Sequence, residues 1–393
     1  MVLMPLAMWL ANRSAPLILG LAATAFLASE LAFGRGRAVA DRLRGLLATP
    51  VGLTLSTFLA WALVSIAWSH APSASLSVWM ELALPVGFAL VVAASGRMQG
   101  GTRWLRALAL AIILACLLSI IELTSGLSQR SSLGVGKLMG FIFNRPAITA
   151  LVLAIPTIHG LWTAKEPRRI DRILAAALAL AVIALSLRSE SASARLGVAV
   201  CAVCWLLALR WPRITLTAAG LAFVLSMAIA PVLGVAAQNW LPHVILDRFA
   251  MMTGQARIDI WQSFGEVARA RPIAGAGFGT SASMHEHPVA AQVAPEHRKL
   301  LAASHAHDMP LQAWAETGVI GAGLLTLAGL LLLVGLGRLP ASEMAPRLAL
   351  FASGFAVAVV GHGAWQGWWI AVLGAAAVWF APLAASPQER RRD

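Results

Sequence analysis

The chain has 393 residues, of which 59% are hydrophobic and 12% charged, and its formal net charge is +13. Soluble domains carry about 25% charged residues, so this composition excludes an ordinary soluble protein and points to a membrane bundle. The basic residues fall in short clusters between apolar runs, which argues against a nucleic-acid surface.

The N-terminal stretch Met1–Leu10 has no basic segment ahead of its apolar residues, so no cleavable leader is expected. Apolar runs then follow near 16–34, 46–68, 77–95, 105–126, 146–164, 172–188, 194–210 and 214–237, and again near 311–337, 347–363 and 366–385. Each is long enough for a spanning helix, which needs roughly 20 mainly apolar residues. Met1–Ala11 is expected to pair with the next run as a short or tilted extra span, giving about 12 helices with both ends on one side. Cys116, Cys201 and Cys204 lie inside apolar runs and read as small packing residues.

Basic clusters mark alternate connections: Arg35, Arg37, Arg42 and Arg44; Arg97, Arg103 and Arg106; Lys165, Arg168, Arg169 and Arg172; Arg210 and Arg213; Arg338 and Arg347; and the Glu389–Asp393 tail. The positive-inside rule puts these on the cytoplasmic side. The opposite side should then be poor in Lys and Arg. It instead carries Arg130, Lys137 and Arg145, then Arg188 and Arg195, then Arg248, Arg257, Arg269, Arg271, Arg298 and Lys299. Some are expected to pair with Asp247, Asp259, Glu266 and Glu296. The rest call for an anion, because a guanidinium fork matches phosphate oxygens bidentately. A diphosphate at the membrane boundary fits. Trp61, Trp68, Trp365, Trp368 and Trp369 near helix ends suggest an interfacial belt.

One connection on that side is long. Gln238–Pro310 holds His243, His285, His287, His297, His305 and His307, the majority of the nine histidines. The chain therefore divides into a bundle over 1–237, a loop over 238–310 and a final group of helices with a tail over 311–393. Within the loop, Ile258, Trp261, Phe264 or Gly265, and Ala268 mark one face of an amphipathic helix ended by Arg271-Pro272. The Gly275/Gly277/Gly279 run follows no strand, so a tight re-entry toward the membrane explains it better than phosphate binding. A second short helix is expected from Pro295 to Ala302. Asp308 suits an N-cap and Pro310 a first turn, which would set His307 at a helix N-terminus, where the dipole disfavours imidazolium. A neutral imidazole there can act as a general base. The His305/His307 pair lacks a third ligand for a metal, and no GxSxG context supports a serine nucleophile.

These residues resemble the O-antigen ligase and polymerase superfamily. The resemblance rests on Arg257 with Trp261, Pro272 and the glycine run; on His307-Asp308-Met309-Pro310-Leu311-Gln312 with Glu316 and Gly318, similar to an HNxxLQ-type motif; and on Ser189–Ala194 leading to Arg195. Asp308 stands where Asn is usual, and Ala194 where Ser commonly precedes the arginine. The resemblance implies an all-α, GT-C-like polytopic protein of the bacterial inner membrane with a largely helical loop and a site facing the periplasm. It implies an inverting, metal-independent transfer without cofactor, from undecaprenyl diphosphate-linked O-antigen to lipid A-core. His307 would be the base, and Arg195 and Arg257, helped by Arg145 or Arg188, would hold the diphosphate. A polymerase of the same superfamily uses the same donor, and a glycolipid transporter is the alternative of another class. The transporter would need mid-membrane charges and internal symmetry, which the sequence does not display.

Overall fold

The structure is a computed structural model that describes residues 1–96, 101–132, 134–135, 138–164, 168–240 and 254–380. Arg97, Lys137, Lys165, His243, Asp247, Arg248 and the Glu389–Asp393 tail lie outside the described residues.

In chain order the helices are α1 (Met4–Leu10), α2 (Ala15–Ala32), α3 (Gly36–Leu47), α4 (Pro50–Ser65), α5 (Pro72–Ser95), α6 (Gly101–Thr124), α7 (Ser128–Ser132), α8 (Asn144–Trp162), α9 (Arg169–Arg188), α10 (Ala192–Arg210), α11 (Pro212–Ile229), α12 (Leu233–Trp240), α13 (Gly254–Ala270), α14 (Pro295–Arg298), α15 (Met309–Leu336), α16 (Ala341–Val360) and α17 (Gly367–Phe380). Proline opens many of them: Pro16, Pro50, Pro72, Pro212 and Pro310 sit in first turns. That position needs no N–H and already wants the φ that proline supplies.

Among the described residues ten helices are long and apolar enough to cross a membrane, and α17 is a shorter apolar helix. This is a polytopic all-α membrane protein. The eleven apolar runs of the sequence each find their helix. The extra N-terminal span does not exist: α1 has seven residues, which at 1.5 Å per residue cover about 10 Å against a hydrocarbon core of about 30 Å. Met4 and Met8 are buried in the main core instead, so the segment packs as an internal plug.

Leu17, Leu21, Leu114, Leu180, Leu206 and Leu225 are exposed on the spans, as expected where lipid replaces water as the solvent. The centre is α8, buried along most of its length against α6, α9 and α17. At one end of the bundle lie the 66–71 turn, α13, the 3-10 turns of 281–302, the start of α15 and the 361–366 connection. The amphipathic reading of α13 holds, with Ile258, Phe264, Val267 and Ala268 buried. So does the short helix after Pro295, which continues as a 3-10 turn to Ala302.

Helix α15 is broken at Gly318, whose φ is 62° and ψ −166°. The break frees backbone groups that lipid could not satisfy, and a strap of loop satisfies them. Ala276 N–H donates to the Ala315 carbonyl (2.8 Å) and Gly277 N–H to Glu316 (2.9 Å), while Val319 N–H donates back to Pro272 (2.8 Å). The Trp61 indole N–H donates to the Thr317 carbonyl at 3.0 Å. Gly275, Gly277 and Gly279 all have positive φ. A Cβ on Gly275 would strike the Glu316 backbone, and one on Gly277 would crowd Ser65 and Ser69. The glycine run is therefore the predicted re-entry.

Candidate active site

The first turn of α15 builds the site. Asp308 is its N-cap: φ is −150° and the carboxylate accepts from Leu311 N–H at 2.7 Å. Burial raises the Asp308 carboxyl to about 7, against the lowering effect of that hydrogen bond. Immediately before the cap, His307 adopts φ 53°, a left-handed conformation that non-glycine residues rarely take outside functional sites. This turns its ring onto His305, with centroids 4.0 Å apart.

His305 packs near Gly363, and His362 in the 361–366 connection completes a group of three imidazoles. Burial first, and then the neighbouring imidazoles, hold His305 down at about 3, and burial, then Arg145 and His307, hold His362 at about 4. Burial first, and then Arg257, lowers His307 as well. All three rings are therefore neutral near pH 7. Geometry separates His305 from His307. The Nδ1 of His305 is shared with Ser304 Oγ at 3.0 Å, whereas the buried Nδ1 of His307 meets no hydrogen-bond partner among the described residues. Among the described residues no group of three His, Cys, Asp or Glu side chains is arranged to hold a metal ion.

Of the predicted arginines, the structure brings Arg257 and Arg145 to this group. Arg257 is the charge acting on His307, and Arg145 acts on His362. Arg145 also lies over the Trp368 ring at 5.5 Å and lines a crevice of about 600 Å³ with Arg13, Glu81 and Gln366. The remaining walls of that crevice include Leu17, Met80, Leu84 and Phe88. Arg195 stands in the first turn of α10, its guanidinium on the Ser189 carbonyl at 2.8 Å. That helix start touches the 361–366 connection, since a Cβ on Gly361 would press on Ser193. Arg188 is not drawn in: it lies on the Leu123 carbonyl at 3.5 Å, at the far end of α6.

Of the carboxylates expected to pair with outer arginines, Asp247 lies outside the described residues and Glu266 is taken by other groups. Glu266 takes His297 (2.6 Å) and Ala294 N–H (2.7 Å). Arg130, Arg269 and Arg298 lie on the carbonyls of Trp9, Pro231 and Val293. Helix ends and turns there offer more free carbonyls than carboxylates. The tryptophan belt is likewise corrected. Trp365, Trp368 and Trp369 are 5%, 3% and 3% exposed, because indole N–H groups serve as internal struts.

The strongest of these struts ends on Glu316, which is fully buried. Its carboxylate accepts from Gly279 N–H (2.6 Å), Trp365 Nε1 (2.7 Å), Gln312 Nε2 (2.9 Å) and Ser281 N–H (3.3 Å). Gln312 Oε1 accepts in turn from Ala364 N–H at 2.9 Å. One side chain thus locks the strap, α15 and the 361–366 connection together, one turn or two from His307. From sequence, Glu316 reads only as part of the motif that enters the span, and neither His362 nor Arg13 stands out as a site residue. A His, a Trp and a Gln within the short 361–366 connection are the signal that could have found the first of these.

Residues 174–327 match the family model described as O-antigen ligase. This match supports an O-antigen ligase family assignment for that segment. The family implies glycosyltransferase-type activity in O-antigen or lipopolysaccharide assembly, on lipid-linked sugars in a membrane. The matched segment contains Arg188, Arg195, Arg257 and His307; Arg145 and His362 lie outside it. No curated protein matches the chain significantly.

Proposed function

We propose that the chain is an O-antigen ligase, transferring O-antigen from undecaprenyl diphosphate to a sugar hydroxyl of lipid A-core, with inversion and without metal, at the periplasmic face of the bacterial inner membrane. The observation that carries this reading is the neutral His307, with its unpartnered Nδ1, held beside Arg257 in one group with His362 and Arg145. In this reading residues 238–310 are the loop that carries the catalytic motifs, His307 among them, between the bundle of 1–237 and the C-terminal helices of 311–393.

His307 takes the proton of the acceptor hydroxyl. The oxygen attacks the anomeric carbon, the bond to the diphosphate oxygen breaks, and the lipid diphosphate leaves with the electron pair. A positioned base contributes about 10²–10⁴-fold. Arg257 and Arg195 stabilise the negative charge on the leaving group, and electrostatic stabilisation of this kind contributes more to such transfers than the base does. Arg145 and Arg13 head a crevice with both a basic end and an apolar wall, the two chemistries of a lipid diphosphate. Arg188, which reaches the end of α6 at Leu123 rather than the imidazole group, has the weakest claim to the diphosphate.

The test is transfer by the purified protein, with chelator, from undecaprenyl diphosphate-linked glycan to lipid A-core. Labelled lipid A-core supports the ligase reading. Extension of the donor glycan without labelled lipid A-core makes the protein a polymerase. No new glycoside from folded protein with intact substrates removes the enzyme reading and favours transport.

A further inference from the structure

A second cavity, of about 440 Å³, opens on the far side of the glycine strap. Its size lies within the range of about 300–1,000 Å³ typical of small-ligand sites. The strap residues 274–276 form its floor, and Trp68, His70, Arg271, Pro272, His287 and Pro288 form its walls. Among the described residues no Asp or Glu lines it.

The walls are fixed before any ligand arrives. His287 is buried, and its Nδ1 accepts from Val289 N–H at 3.0 Å. The Trp68 indole leans on Trp61 at 5.5 Å, and Trp61 is itself anchored at the α15 break. His70 crosses His287 edge-on at 5.1 Å and shares a hydrogen bond with Ser283 Oγ at 2.8 Å. The other nitrogen of His70, Nδ1, is buried and has no hydrogen-bond partner among the described residues.

The chemistry of these walls selects a ligand. Trp68 is 37% exposed and offers a flat apolar face of the kind that covers the C–H face of a pyranose. Arg271 supplies a fork for a carboxylate or phosphate. The unpartnered Nδ1 can meet a sugar hydroxyl. We propose that this cavity binds an anionic sugar, one bearing a carboxylate or a phosphate, as a glycan-holding subsite for the acceptor. The strap separates it from the His307 group, so a multi-sugar acceptor would lie across the strap with its reactive hydroxyl at His307. This assignment rests on the ligase reading for the role of the sugar, though not for its binding.

The experiment uses the full chain in detergent and three probes: methyl glucuronide, glucose 6-phosphate and neutral methyl glucoside, followed by saturation-transfer NMR and calorimetry. An anionic probe is expected to bind with a Kd on the order of 1 mM, and the neutral sugar more weakly. The preferred anionic probe distinguishes carboxylate from phosphate as the natural group. Arg271→Gln, at an exposed position, should weaken binding by about tenfold or more, with Arg271→Lys in between. His307→Ala should bind the probes like wild type. In the transfer assay Arg271→Gln should raise the KM for acceptor and hold kcat. Equal binding of charged and neutral probes, or unchanged binding in Arg271→Gln, overturns the subsite. Selective binding without any transfer keeps the subsite and removes the ligase reading; transfer without selective binding does the reverse.

Discussion

The arginines at the two ends of the bundle are held differently. At the end marked by basic clusters several meet carboxylates, Arg35 with Glu30 (3.0 Å), Arg106 with Asp171 through two bonds (2.6 and 3.0 Å) and Arg347 with Glu343 (2.5 Å), while Arg103, Arg172 and Arg210 lie over indole rings. At the other end Arg130, Arg195 and Arg298 lie on carbonyls, Arg145 lies over an indole, and Arg257 acts on an imidazole. Two of the described carboxylates there go to histidines, Glu266 to His297 and Glu286 to His285. A carbonyl offsets only part of a guanidinium charge, so the second end keeps a field that an anion can complete. Topology accounts for the first set; under the proposed function a diphosphate accounts for the second.

The comparison is broken most severely at Glu316. Glu316→Ala leaves four donors without their acceptor, at about 1–3 kcal/mol each, which together approach the whole stability of about 5–15 kcal/mol of a typical domain. Thermal unfolding in detergent should show a large fall or no folded protein, and Glu316→Gln a smaller fall. Arg257→Ala comes next. Losing one charge-assisted contact to the leaving diphosphate costs about 1.5–3 kcal/mol, or roughly 10–150-fold in kcat, with the folded fraction unchanged.

A pH profile sharpens the same contrast. In the free protein His307 titrates below the ordinary imidazole value because of burial and Arg257. Its base form is therefore lost only as pH falls below that value. A bound diphosphate neutralises Arg257, which raises the imidazole again. The acid limb of kcat, which reports the bound enzyme, should then lie at higher pH than that of kcat/KM, which reports the free enzyme. Coincident limbs would separate Arg257 from the diphosphate. The smallest effect on transfer belongs to the opposite end. Arg106→Gln should lower the thermal midpoint by unpairing the buried Asp171, yet leave kcat of the folded protein at the wild-type value.

Much of this is legible in the sequence, and the limits have physical causes. Hydropathy locates spans because each must satisfy its own backbone in lipid, so the apolar runs all become helices. Local capping chemistry places Asp308, Pro310 and hence His307. The break at Gly318 is invisible, since one reversed φ in an apolar run leaves hydropathy unchanged. Its consequences are invisible with it: the strap, the Trp61 and Trp365 struts and the role of Glu316 join residues far apart in sequence. Met1–Ala11 reads as a short extra span because burial in a protein core and burial in lipid select the same side chains. His362 carries little signal because it stands in a short connection, remote from the long loop where histidines concentrate.

The proposed base among the three clustered imidazoles is His307, and the initial rate of glycan transfer tests this directly in His307→Ala, His305→Ala and His362→Ala, each confirmed folded. The expected result is a loss of about 10²–10⁴-fold in His307→Ala and clearly smaller losses in the other two. A wild-type rate in His307→Ala, or an equal collapse in His305→Ala, would contradict it.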